Sequence, residues 1–239
     1  MVLAREATVV IPTYNEAKNI HELIPAIMAA VPGIHILVVD DNSPDGTGAV
    51  VKEWQKKYTD VALVSRPGKQ GFGAAYVAGF KEALERKEVK AIITMDGDLS
   101  HPPRYLPEML SLVEGSRVVI GSRYTKGGGI EGWELWRKIL SKGANFYCRS
   151  ITHIPMKDCT GGFNAISVEL LRSIDFEALK KFRGYAFLMA LKYLLWARGG
   201  VFKEIPIIFK NRTEGASKMS QSIIREGILA PWRLISVSK

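Results

Sequence analysis

The sequence predicts an α/β protein with a mostly parallel central sheet, helices on both faces and amphipathic helices at the C-terminal end. Three observations carry this reading. Apolar, β-branched runs recur at 8–11, 34–39, 61–64, 91–95 and 118–120, the composition of strands buried on both faces. Amphipathic helical stretches at 17–30, 47–58, 74–86 and 105–114 separate them, which is the alternation of a doubly covered sheet. After residue 122 the alternation stops. A glycine-rich loop (126–132) leads to a long helix from about 133 to 152, a loop (155–162), a short strand near 163–167, a second helix (185–198), a strand (201–209), a polar loop (211–218) and a final helix from about 220.

At 239 residues, with 47% hydrophobic and 24% charged, the chain has a globular composition and reads as one domain; a disordered or repeat protein is excluded. Lys and Arg number 33 against 24 Asp and Glu, a net charge of +9, so the partner is expected to be anionic: nucleic acid, a phosphorylated small molecule or an acidic membrane surface. Cys148 and Cys159 form neither a CxxC pair nor a disulfide framework, which fits a reducing compartment. Arg5 and Glu6 fall where a signal peptide needs apolar residues. The longest apolar stretch, 185–197, is interrupted by Lys192 and falls short of the ~20 residues a membrane span needs.

The chemistry-bearing residues gather at strand ends. Ala91-Ile-Ile-Thr-Met-Asp96-Gly97-Asp98 sets two carboxylates two residues apart after a buried strand, at the edge where open α/β sheets bind ligands. Mg²⁺ or Mn²⁺ takes one or two protein carboxylates and fills its shell with water and phosphate oxygens, and Gly97 lets the backbone approach closely. A solvated Asp-Gly turn fits the pair by itself; its place after a strand favours a site. Val38-Val39-Asp40-Asp41-Asn-Ser-Pro-Asp45-Gly ends a second strand on the same edge. Asp40 and Asp41 read as acceptors for base or ribose donors, and Asp45 as a helix cap.

Pro12-Thr-Tyr14-Asn-Glu16 follows the first strand, and Tyr14 offers a ring face to a base. Gly71-Phe-Gly73-Ala-Ala-Tyr76 opens a helix, but Tyr76 stands where a dinucleotide fingerprint needs its third glycine. It reads as a helix N-terminus facing phosphate with Lys69 nearby, or as plain helix packing. The sequence has no Walker A motif, no GxSxG and no metal-ligand spacing of His or Cys, which excludes a P-loop NTPase and leaves hydrolase chemistry unsupported. His101 is expected to be a structural loop residue and the two cysteines packed thiols.

Taken in order, PTYNE, VVDDNSPDGT, GKQGFGAA, MDGDLSHPP, GSRY, GGGIEGWELWRKILSKGAN, DCTGGF and NRTEGASK resemble the dolichol-phosphate mannose synthase group of inverting glycosyltransferases with the GT-A fold. The resemblance spans nearly the whole chain. It implies transfer of mannose from GDP-mannose to a dolichyl or polyprenyl phosphate. Carried over by motif, Pro12, Tyr14, Glu16, Val39, Asp40 and Asp41 match the nucleotide pocket, and Asp96, Gly97 and Asp98 the metal and diphosphate motif. Arg123, Arg212 and Lys218 match positions that contact donor or acceptor phosphates, and Arg137 and Ser141 the region that receives the lipid phosphate. Asp98 is the expected main metal ligand, with Asp96 in support. Some members carry Gln where this chain has Ser100, so a third protein ligand is not expected, and other members continue into transmembrane helices.

The resemblance implies a catalytic domain over 1–219, its nucleotide-sugar half at 1–122 and its acceptor half at 123–219, with an amphipathic membrane-interface helix at 220–239. Trp133, Trp136, Ile139 and Leu140 beside Arg137, Lys138 and Lys142 give an interfacial pattern, repeated by Ile228, Leu229 and Trp232 beside Arg225 and Arg233. The expected partners are GDP-mannose, the polyprenyl phosphate, an anionic membrane surface on its cytoplasmic face and, as an option, a membrane-anchoring subunit; nucleic acid is not among them. The segment 211–218 is expected to act as a lid. Two other readings are a UDP-glucose-dependent dolichyl-phosphate glucose synthase and a silent nucleotide-sugar or nucleic-acid binding module.

Overall fold

The computed structural model describes residues 1–211 and 221–237. Its first half follows the hydrophobic rhythm: β1 (Ala7–Thr13), α1 (Ala17–Ala30), β2 (His35–Asp40), α2 (Thr47–Gln55), β3 (Val61–Ser65), α3 (Phe72–Leu84), β4 (Ala91–Thr94), α4 (Leu106–Leu112) and β5 (Arg117–Ser122). The second half contains β6 (Gly129–Ile130), α5 (Leu135–Thr152), β7 (Asn164–Ser167), α6 (Val168–Arg172), α7 (Phe176–Lys180), α8 (Tyr185–Ala197), β8 (Val201–Pro206), β9 (Ile208–Phe209) and α9 (Gln221–Val237).

The main sheet has the order β3-β2-β1-β4-β7-β5-β8. β1, β2, β3 and β4 run parallel, with Thr13 beside Asp40, Asp40 beside Ser65 and Val10 beside Thr94. Their carboxyl ends therefore open onto one edge, and the three motifs that follow β1, β2 and β4 meet there. β7 is antiparallel to both β4 and β5, while β5 and β8 are parallel. Strand alternation feeds two cores. Val10, Leu37, Val39, Ile92, Ile120 and Ile166 pack under α3 and α8. Val9, Ile11, Ile36, Val38, Ile93 and Val119 face α1 and α4.

Three features depart from the sequence reading. The strand expected over 201–209 is broken: β8 ends at Pro206, Ile207 donates its N–H to the Ser122 carbonyl, and β9 pairs with β6 inside the expected glycine-rich loop. Short helices α6 and α7 fill a stretch left unassigned, each with a side-chain cap, Ser167 accepting from Leu170 N–H and Asp175 from Glu177 N–H. β7, inserted antiparallel between β4 and β5, joins the two halves in one sheet. α9 packs on α8 and α5, burying Ala230 and Leu234 while Ile228 and Trp232 stay exposed. No helix among the described residues is long and apolar enough to cross a membrane.

Candidate active site

The edge formed by β1, β2 and β4 is locally strained. Asn15, Asn42 and Leu99 have positive φ values of 61°, 56° and 62°, each within two residues of a motif carboxylate or Tyr14. Asparagine tolerates this region; leucine does not, and left-handed backbone there costs of order 1–3 kcal/mol. A ligand-binding turn is where such strain concentrates.

The acidic pair is held by its neighbours. Buried Asp98 accepts through Oδ1 from both the N–H and the hydroxyl of Ser100. Asp96 donates its N–H to His101 Nδ1 at 3.1 Å, and its carboxylate accepts from the Tyr76 hydroxyl at 3.5 Å. Burial pushes His101 down to about 4, so at neutral pH the ring is uncharged, consistent with a structural loop residue stacked on Phe163 at 5.1 Å. Burial and the nearby Asp96 and Asp98 raise the Tyr76 phenol well above its usual range, which keeps it a hydrogen-bond donor.

The expected nucleotide residues are partly engaged in holding the edge itself. Asp40 accepts from the Thr13 hydroxyl at 2.9 Å and from the N–H and hydroxyl of Ser43. Asp41 pairs with Arg66 and accepts from Gln70 N–H. Val39 has its side chain in the core and offers only its carbonyl, to the Thr13 hydroxyl. Pro12 is half-buried at the end of β1, and Glu16 accepts from the Asn19 amide at 2.7 Å. Asp45 holds the starts of two helices, accepting from the N–H groups of Thr47 and Ala17. Lys69 lies over the Tyr14 ring, 4.3 Å from its centroid.

At the N-terminus of α3, Gly73 is explained by packing. A Cβ there would lie 2.5 Å from the buried Phe187 ring. Gly97 is less crowded; its Cβ would meet Thr13 and Ile11 at 3.3 and 3.4 Å.

A second cluster, from the other half, adjoins the acidic pair through Gly162, whose Cβ would lie 3.0 Å from Asp96 Oδ1. Arg123, just past β5, is buried and grips Asp158 in a fork: Nε to Oδ2 at 2.8 Å and Nη2 to Oδ1 at 2.7 Å, with Nη2 also donating to Thr160. Burial alone would raise the Asp158 carboxyl, but the guanidinium beside it and their hydrogen bonds hold it below the usual carboxylate range. Arg123 lies 5.4 Å from the Phe209 ring, Phe209 meets Trp133 edge-on, and Arg137 stacks on Trp133 at 4.1 Å. Ser141, one turn along α5 from Arg137, bonds the Tyr124 hydroxyl at 2.6 Å. Arg123 also lies 5.3 Å from the Tyr124 ring, so ring contacts connect it both to Arg137 and to Ser141. Arg212 and Lys218 lie outside the described residues.

Residues 8–175 match the family model "Glycosyl transferase family 2". The chain belongs to glycosyl transferase family 2. Its relatives include the polyprenol monophosphomannose synthase of Mycolicibacterium smegmatis, 42% identical over 94% of this chain and 85% of that protein. The undecaprenyl-phosphate mannosyltransferase of Micrococcus luteus is 37% identical over 92% of this chain and 90% of that protein. The dolichol-phosphate mannosyltransferase of Pyrococcus furiosus is 35% identical over 96% of this chain, which spans 64% of its length. Among solved structures, glucosyl-3-phosphoglycerate synthase from Mycobacterium tuberculosis with UDP superposes with a TM-score of 0.69 at 19% identity, over 97% of this chain and 80% of that one. The same enzyme with Mn²⁺, UDP and phosphoglyceric acid gives 0.66 at 20% identity, over 95% and 78%. The fold is that of GT-A glycosyltransferases, and the resemblance read from the eight motifs stands.

Within this family 2 fold, sequence reasoning passed over Asp158 and Lys192. Asp158 was visible in the DCTGGF motif without an assigned role. Lys192 showed only as a charge interrupting an apolar helix, a signal that a buried functional amine would leave.

Proposed function

We propose that this glycosyltransferase moves mannose from GDP-mannose to the phosphate of a dolichyl or related polyprenyl phosphate, with inversion at the anomeric carbon. The observation that carries this reading is the nearness of two clusters, since the loop whose Asp158 holds Arg123 also brings Gly162 against Asp96. Asp96 and Asp98 sit at the carboxyl edge of the sheet, and the guanidinium-bearing wall of Arg123 and Arg137 lies on the α5 side. One suits a metal-bound diphosphate and the other a phosphate acceptor. Relatives whose names specify a polyprenol, undecaprenyl or dolichol phosphate support the substrate class.

The donor set fits Mg²⁺ or Mn²⁺. Two carboxylates on one loop are the one or two that such a cation takes when phosphates fill the remaining positions. Asp98 and Asp96 would hold the ion, which supplies charge neutralisation for the departing diphosphate. The protein does the rest by position and charge. A phosphate monoester, with its second pKa near 6, is already dianionic at pH 7 and needs no general base, in keeping with a site whose histidine is neutral and structural. One acceptor oxygen forms the bond to the anomeric carbon as the bond to the diphosphate oxygen breaks and its electron pair leaves with GDP. Arg123, Arg137 and Ser141 orient the acceptor phosphate. Tyr14, Glu16, Asp40, Asp41 and Lys69 form the nucleotide side. Arg212 and Lys218 are assigned to the phosphates on sequence alone, within the proposed lid over 211–218.

The lipid substrate places the reaction at a membrane. The proposed attachment is peripheral, on the cytoplasmic face, through α5 and the segment 220–239, with 1–219 as catalytic domain. The deciding experiment incubates purified protein, divalent metal and polyprenyl phosphate with labelled GDP-mannose or labelled UDP-glucose. Mannolipid from GDP-mannose alone supports the reading; glucolipid from UDP-glucose replaces it with the glucose-transferring alternative.

A further inference from the structure

Loop 157–162 has no regular secondary structure, yet seven of its backbone groups are bonded to side chains from other elements. The N–H groups of Lys157 and Asp158 donate to Glu204 of β8, and those of Cys159 and Thr160 to Asn145 of α5. The Gly162 carbonyl accepts from Thr94 of β4 at 2.7 Å. The carbonyls of Cys159 and Gly161 accept from one group, the ammonium of Lys192, at 3.3 and 2.6 Å. Lys192 sits in the middle of α8 and is 1% exposed, between the core residues Leu191 and Tyr193. A charged amine in such a place is expensive to bury and is rare without a purpose.

The loop touches both halves of the site. Its Asp158 holds the Arg123 fork, and a Cβ at Gly162 would lie 3.0 Å from Asp96 Oδ1. We propose that Lys192 is a positioning residue for glycosyl transfer: by clamping the carbonyls of Cys159 and Gly161 it fixes the loop that aims Arg123. This rests on the transferase reading above.

Two further observations agree. Asp96, Asp98, Asp158, Arg123 and Lys192 together carry a formal charge of −1, so the ammonium moderates an otherwise acidic cluster without cancelling its attraction for a cation. Burial lowers Lys192 to about 8, against the attraction of Asp158. A lysine whose folded pKa lies below its unfolded value costs the fold stability at neutral pH, because the protonated form is the one that burial disfavours. An amine kept at such a cost, with its bonds directed to the site loop, is the pattern of a residue retained for function.

The test uses the full chain with Lys192→Met, which keeps an unbranched side chain one atom shorter and without the charge, and Lys192→Arg, which keeps the charge. The expected result for Lys192→Met is a melting temperature equal to or above the parent, a GDP-Mg²⁺ dissociation constant within about threefold, and kcat reduced about 30-fold or more at saturating substrates. Farnesyl phosphate, a short acceptor probe, should bind about tenfold more weakly, since Arg123 is no longer aimed. Lys192→Arg should recover part of kcat.

Parental kcat in Lys192→Met overturns the proposal. So does a fall in kcat that comes with a lower melting temperature and weaker GDP binding, because that is plain destabilisation. If Lys192→Met does not fold, Lys192→Arg decides: kcat within about tenfold of the parent supports a clamp by charge, and a larger loss in a folded variant overturns it. If the parent itself makes no lipid product from any donor, the transferase reading fails separately. The farnesyl phosphate measurement then decides the role of Lys192, and unchanged binding overturns it.

Discussion

The ammonium of Lys69 lies 4.3 Å from the centroid of the Tyr14 ring, joining the turn after β1 to the segment before α3. That contact occupies a face of the ring on which a base could stack, so base binding and the cation–π pair compete or share the ring's two faces. The pair is exposed enough to contribute only ~0.5–1 kcal/mol, less than a well-stacked base. Tyr14→Ala is expected to weaken GDP binding about tenfold, in line with an aromatic contact of ~1–1.5 kcal/mol. Lys69→Met should weaken it less and flatten its salt dependence. Calorimetric titration of GDP at two ionic strengths measures both; unchanged affinity in Tyr14→Ala removes that ring from the nucleotide site.

The acidic pair makes a sharper prediction. Asp98 is buried and its Oδ1 is bonded to Ser100, so the loop should keep its shape when the charge is removed conservatively. Asp98→Asn is expected to melt within a few degrees of the parent and to lose transfer by about 100-fold or more, the scale on which charge stabilisation of a leaving group operates. Chelator should abolish turnover in the parent and Mg²⁺ or Mn²⁺ should restore it. Full activity in chelator would remove the metal from the reaction.

Legibility in the sequence followed the physics of each element. Strands buried on both faces and amphipathic helices advertise themselves by period, so β1 through β5 and their helices were readable, α1 to the residue. β6 and β9 are two-residue strands, too short to show alternation, and the antiparallel course of β7 depends on pairing that no local pattern encodes. The site divides likewise. Carboxylates at strand ends announce themselves, whereas the partners of Arg123 do not, because Asp158 is brought to it across 35 positions of chain. For Gly73 the packing alternative is the one that holds, but its partner was not readable, because Phe187 comes from α8, more than 100 positions along the chain. Gly73→Ala is accordingly expected to cost ~1–3 kcal/mol by overpacking, measurable by urea denaturation, with GDP binding unaffected in the folded fraction.

Acid should destabilise the fold through two histidines. Burial, reinforced for His35 by the Arg86 charge, lowers His35 to about 4, and burial lowers His101 to about 4. In the unfolded chain each takes up its proton near 6.5. Between those values the unfolded state binds more protons, so the stability present above pH 6.5 is lost as pH falls towards 4. Buried His35 Nδ1 has no hydrogen-bond partner, so His35→Leu removes the titration without breaking a bond. The variant should melt close to the parent at pH 7 and about 5–10 °C above it at pH 4.5, an advantage of roughly 2.5 kcal/mol. Parallel melting curves across that window would mean that His35 does not titrate differently on folding.

The membrane prediction rests on the exposed apolar side chains of two neighbouring helices. On α5, Leu135, Trp136, Ile139 and Phe146 are exposed, Trp136 at 60% and Phe146 at 70%; on α9, Trp232 is exposed at 56%. The two helices are fastened together: Trp232 Nε1 donates to the Tyr147 hydroxyl at 2.9 Å, which donates to the Ile228 carbonyl at 3.0 Å. Trp133, which the sequence pattern places on the same ridge, instead packs between Arg137 and Phe209 and belongs to the site. Exposed tryptophans flanked by Lys138, Lys142 and Arg233 are what an interfacial helix presents to anionic headgroups. Liposome co-sedimentation should therefore show binding that rises with anionic lipid and falls with salt. Trp136→Ser combined with Ile139→Ser, and separately Trp232→Ser combined with Arg233→Glu, should each cut the bound fraction about tenfold, roughly 1.4 kcal/mol. Neither pair should change turnover of a short, water-soluble acceptor, because none of these side chains contacts the Arg123–Asp158 fork or the acidic pair. If both variants sediment like the parent, or the parent ignores lipid charge, this surface is not the docking face and the lipid phosphate must reach Arg123 from another direction.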